Sequence, residues 1–74
     1  SMPGSVWKVL VTPGQAVRKG DVLIIEESMK MEFSQLAPCD GIVAAVLVKP
    51  GDEVFTGQLI VGITNESESV VTAV

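Results

Sequence analysis

One lysine in this chain stands in surroundings that suit covalent chemistry. Lys30 lies in the run Glu27-Ser28-Met29-Lys30-Met31-Glu32, a primary amine between two methionines with acids on either side. An amine held clear of the protein body on a rigid turn can be acylated, which removes its charge and leaves a long side arm in its place. Other reactive groups are scarce. The chain has no His, so imidazole is missing both as general base and as zinc ligand. Its one cysteine, Cys39, cannot form an internal disulfide. It is read as a half-buried small hydrophobe and fits a reducing compartment, cytoplasm or organellar matrix. With no Ser-His-Asp set available, a free-standing hydrolase is disfavoured and the chain is read as non-catalytic.

The residues near Lys30 have plainer readings as well. Glu26, Glu27 and Glu32 surround the amine with negative charge that can guide a basic protein surface. For Glu26 the favoured reading is charge that keeps an edge hairpin soluble. Trp7, Phe33 and Phe55 are assigned to core or semi-core packing rather than to a docking surface. The net charge is −4, and the basic residues never cluster beyond the pair Arg18-Lys19, which gives no electrostatic footprint for nucleic acid or anionic membrane. The longest apolar run, Ile42 to Val48, falls well short of the roughly 20 residues of a membrane span. Proteins are the expected partners.

What must position Lys30 is a structural unit used twice. Sliding the sequence by 37 positions brings Gly4, Pro13, Gly14 and Gly20 onto Gly41, Pro50, Gly51 and Gly57, and nine of the twenty positions from Gly4 to Leu23 are then identical. Each copy reads as an extended segment (Val6 to Val11, Val43 to Val48), a Pro-Gly turn, a short segment around Val17 or Val54, a Gly turn and a further apolar segment. Proline presets φ at the first central turn position and glycine supplies positive φ at the second, so both Pro-Gly pairs predict type II turns. Along the strands, Val9, Val11, Val46 and Val48 should share one side, with Leu10 and Leu47 on the other. Neither copy can bury an apolar face alone. The prediction is an all-β fold, a flattened barrel or sandwich of two antiparallel sheets related by a pseudo-two-fold. In one domain over 1–74, repeat 1 spans about 4–27, the hairpin tip 28–31 and repeat 2 about 41–64, with a tail over 65–74. The tip is inferred from symmetry, because Met29-Lys30 lacks the Asn-Gly chemistry of a two-residue turn.

Glu27-Ser28-Met29-Lys30-Met31-Glu32 resembles the Glu-Ala-Met-Lys-Met hairpin of biotinyl (biotin carboxyl carrier) domains of biotin-dependent carboxylases and decarboxylases. The likeness extends through Gly4-Ser5-Val6-Trp7-Lys8-Val9, Pro13-Gly14-Gln15, Gly20-Asp21, Ala37-Pro38 with Gly41, and Gly51-Asp52. It implies that a biotin protein ligase joins biotin to Lys30, with Met29, Met31, Ser28 and Glu27 in the surface the ligase recognises. It also implies visits to a biotin carboxylase and a carboxyltransferase, between which the arm carries activated CO2. Ser28 replaces the family's usual Ala, a small-for-small change. No insertion separates Val11 from Val17, so the likeness is to the thumbless carriers of multidomain enzymes. Related lipoyl domains usually carry Asp-Lys-Ala at the tip, unlike Met29 and Met31 here. An unmodified structural or adaptor module is the alternative.

The resemblance also raises an expectation for the tail. Biotinyl domains normally begin with a strand beside their last one, and the 37-residue offset would put that strand before Ser1. Ser69 to Val74 follows a polar turn over 65–68, is rich in strand formers, and should fold back antiparallel on Leu59 to Thr64 to fill the slot. By the same offset, Phe33 to Ala37 should correspond to Val70 to Val74.

Overall fold

The computed structural model describes residues 4–65 and 69–73. Eight strands follow in order: β1 (Gly4–Val9), β2 (Ala16–Val17), β3 (Val22–Ser28), β4 (Met31–Leu36), β5 (Gly41–Val46), β6 (Glu53–Val54), β7 (Leu59–Thr64) and β8 (Ser69–Thr72). They form two sheets, one ordered β4-β3-β1-β6 and the other β2-β5-β7-β8, with every pairing antiparallel. Exchanging β1 to β4 with β5 to β8 converts one sheet into the other, so the sequence repeat is a spatial two-fold. Even the irregularities repeat. The β1/β3 register breaks between Val6 and Lys8, and the β5/β7 register breaks between Val43 and Ala45, 37 residues on.

Turn chemistry sets these strands. Gly14 and Gly51 have φ of 89° and 92°, and Gln15 and Asp52 donate back to the carbonyls of Thr12 and Lys49, which closes the predicted type II turns. The two halves then bind each other reciprocally: Gly14 N–H donates to Val43 O and Gly51 N–H to Val6 O. Between the sheets lie Val6, Leu23, Ile24, Val43, Val54, Ile60, Val61 and Ile63, none more than 3% exposed. Aliphatic side chains buried so fully contribute roughly 1.5–3 kcal/mol each.

The extended segments end earlier than predicted, at Val9 and Val46, although Val11 and Val48 still enter the core. The alternation holds. Val9 and Val46 pack against the core while Leu10 and Leu47 face outward. The aromatic assignment does not hold: Trp7, Phe33 and Phe55 are 44%, 43% and 54% exposed. Two thin sheets fill their interior with Val, Ile and Leu. Trp7 is therefore turned out at the β1 bulge beneath the Lys8 ammonium, 4.5 Å from its ring centre, Phe33 sits on the edge strand β4, and Phe55 lies in the turn after β6.

The tail pairs with β7, as expected, and Val71 and Ala73 enter the core. In the two-fold it stands where β4 stands beside β3. The offset there is 36 rather than 37, since Val61 pairs with Val71 whereas Ile24 pairs with Gln35. Of the predicted turn over 65–68, the part beyond Asn65 lies outside the described residues, as does Val74.

Candidate functional site

Strands β3 and β4 form a hairpin whose last pair is Ser28 with Met31. That leaves Met29 and Lys30 as a two-residue loop, both with positive φ, 53° and 64°. Two consecutive left-handed residues make a type I′ turn, whose twist matches the flanking strands and which Asn-Gly normally supplies. An L-residue with a side chain pays roughly 1–2 kcal/mol for that conformation, so the turn holds two strained positions side by side. Strain of this kind collects at functional positions.

The strained turn presents three long side chains to solvent. Met29 is 71% and Met31 59% exposed, and Lys30 is exposed between them. One step down the hairpin, Glu27 pairs directly with Glu32, and both are exposed. Like charges facing each other across a ladder are unfavourable, so the carboxylates add a second local cost to the tip. Beside them a shallow acidic groove is lined by Ser5, Glu27, Ser28, Met29 and Glu53. Of the predicted site residues, the structure thus brings Glu27, Ser28, Met29, Lys30 and Met31 together at one tip, with Glu32.

Glu26 departs from its predicted role. It is 4% exposed and faces the interior, not the solvent. Its strand parity matches that of Ile24, and it lies in a row between Val6 and Phe33. A hydrogen bond joins its carboxyl to Gln35, itself buried, while the second oxygen, Oε2, has no partner among the described residues. Burial raises the carboxyl above the usual glutamate range, and the Gln35 hydrogen bond offsets this in part. Sequence reasoning assigned this carboxyl to the solvent side of the hairpin, although its position two residues after Ile24 was a usable signal for burial.

Glu26 also lines a mostly apolar cleft of about 210 Å³ at the base of the hairpin, together with Ser28, Phe33, Val54, Phe55 and Ala73. Among the described residues no cluster of His, Cys, Asp and Glu could hold a metal ion. What the tip offers chemically is an exposed amine on a two-residue type I′ turn.

A family model described as biotin-requiring enzyme matches residues 1–63. Pyruvate carboxylase of Bacillus subtilis is 49% identical over 63 residues, covering 85% of this chain and 6% of that protein. The biotin/lipoyl attachment protein of the same species is 40% identical over 67 residues, covering 90% of this chain and 92% of that one. Among solved structures, the lipoyl domain of the Azotobacter vinelandii 2-oxoglutarate dehydrogenase complex superposes with a TM-score of 0.74 at 29% identity, covering 88% of this chain and 82% of that one. The chain spans only 6% of the length of the pyruvate carboxylases it matches.

Proposed function

Since the chain belongs to the biotin/lipoyl family of biotin-requiring enzymes, we propose that Lys30 is the residue to which biotin is attached and that the hairpin delivers it to partner active sites. The observation that carries this reading is the strained type I′ turn of Met29 and Lys30. A lysine at that turn projects away from both sheets, and its Nζ is free to form an amide with an activated biotin carboxyl as the activating group departs. Biotin, once attached, supplies a ureido nitrogen able to hold a carboxyl group.

The chain's own residues supply positioning and recognition. The β3/β4 ladder fixes the direction of the arm, and the exposed methionines give a ligase an apolar, adaptable surface on each side of the lysine. Glu27, Glu32 and Glu53 give the tip a negative rim, suited to basic surfaces on a biotin protein ligase, a biotin carboxylase and a carboxyltransferase. The domain catalyses nothing itself. Tethering raises the effective concentration of the carried group at each active site. A reducing compartment suits the free thiol of Cys39.

Co-expression with a biotin protein ligase tests the assignment. Intact-mass analysis should show one added biotinyl group, peptide mapping should place it on Lys30, and Lys30→Arg should abolish it. Biotin captured on the Lys30→Arg chain would overturn the site, and a wild-type chain that stays bare would favour the adaptor reading.

A further inference from the structure

The interior position that Glu26 holds in one sheet is held in the other by Ile63: Glu26 pairs with Val6, and Ile63 pairs with Val43. Around Ile63 the end of the sandwich is stitched shut. Asn65 Nδ2 donates to Cys39 Sγ at 2.8 Å and to Asp40 O at 3.2 Å, and Cys39 Sγ donates to Ser69 Oγ at 3.3 Å. Around Glu26 the equivalent end holds a cleft walled by Phe33 and Phe55, with a carboxyl oxygen that lacks a partner among the described residues. A buried polar atom without a hydrogen bond is costly, and nothing in the two-fold fold requires one here, since isoleucine serves at the equivalent place. The asymmetry therefore calls for a ligand with an apolar body and one well-placed donor.

We propose that this cleft is the resting place of the biotinyl group carried by Lys30 of the same chain, its bicyclic ring between Phe33 and Phe55 and a ureido N–H donating to Glu26. The inference rests on Lys30 being the attachment site. Glu26, Ser28, Met31 and Phe33 share the inner face of the hairpin, because Glu26 pairs with Phe33 and Ser28 with Met31. Glu26 is thus only about 7 Å down the strand from Ser28, within reach of a long acyl arm that folds back from the tip. The terminal carboxyl torsion of glutamate is soft, so a small rotation turns Oε2 toward the opening. A parked ring would be shielded from solvent until a partner surface draws it out.

Solution NMR of the full chain, bare and ligase-biotinylated, tests this. The ring signals of Phe33 and Phe55 and the side-chain carboxyl carbon of Glu26 should shift on biotinylation, with through-space contacts from the bicyclic ring to both phenyl rings. Phe55→Ala should abolish the Glu26 shift while changes at the Met29 and Met31 methyls persist. Perturbation confined to Met29, Lys30 and Met31 in a chain whose mass confirms biotin on Lys30 would overturn the resting place and leave the attachment site standing. A chain that the ligase leaves bare would overturn both.

Discussion

The two ends of the sandwich are built on one plan and finished differently. Around Ile63 the chain packs tightly: a Cβ added to Gly41 would lie 2.6 Å from Ile63 Cγ2 and 2.7 Å from Thr64 O, and side-chain hydrogen bonds close the neighbouring loop. Around Glu26 the fit is looser. A Cβ on the equivalent Gly4 would lie 3.1 Å from Glu27 O, and the hairpin above it carries two left-handed side-chain-bearing residues and a pair of facing carboxylates. A duplicated fold lets one copy supply stability while the other carries features that stability alone would not select.

The largest expected effect tests the copy assigned to stability. Deleting residues 69–74 removes the β7/β8 ladder and the buried Val71 and Ala73, and should cost about 3 kcal/mol or more in urea unfolding. In so small a domain that is most of the total. A loss below about 1 kcal/mol would mean that β7 serves well enough as an edge.

The glycines sharpen the contrast directly. Gly41→Ala, which must displace backbone as well as a methyl group, should cost about 2–3 kcal/mol. Gly4→Ala, where one carbonyl has to give by a few tenths of an ångström, should cost about 1 kcal/mol. Equal losses would show that the ends are equally packed. At the tip the sign reverses. Replacing Met29-Lys30 by Asn-Gly suits the type I′ turn and should raise stability by roughly 1–2 kcal/mol. A thermal-melt comparison that finds no gain would mean that the turn is not strained.

Much of the scaffold was legible because the repeat is written in backbone chemistry. Pro13-Gly14 and Pro50-Gly51 can scarcely be anything but turns, and the alternation of Val9, Leu10 and Val11 assigns faces without knowledge of the partners. Lys30 was legible from its wording, while the geometry of its turn was not, since Met and Lys have no preference for positive φ and the strands impose it. Glu26 was misread because charge is ordinarily a sign of solvent, and in that strand parity outweighs it. Trp7, Phe33 and Phe55 were misread in the opposite sense: aromatic bulk suggests a core, but this one is filled by smaller side chains.

Glu26 supplies the finest test of the comparison. Its carboxyl is raised above the ordinary 4.5 by burial, against which the Gln35 hydrogen bond works only in part. A raised value in the folded chain means that folding favours the protonated acid. The carboxyl's relative stabilisation is complete below about 4.5 and is lost as pH rises through the folded value. Glu26→Gln keeps the shape and the polar contact to Gln35 but cannot ionise. It should be more stable than the wild type at pH 7, and that advantage should fade as pH falls toward 4. Urea unfolding at a series of pH values measures both slopes, and parallel curves would mean that the buried carboxyl titrates as it does in the unfolded chain. Because Ile63 fills the matching place without any such penalty, a measured cost at neutral pH would identify Glu26 as a residue that folding does not require and would tie its presence to the cleft it lines.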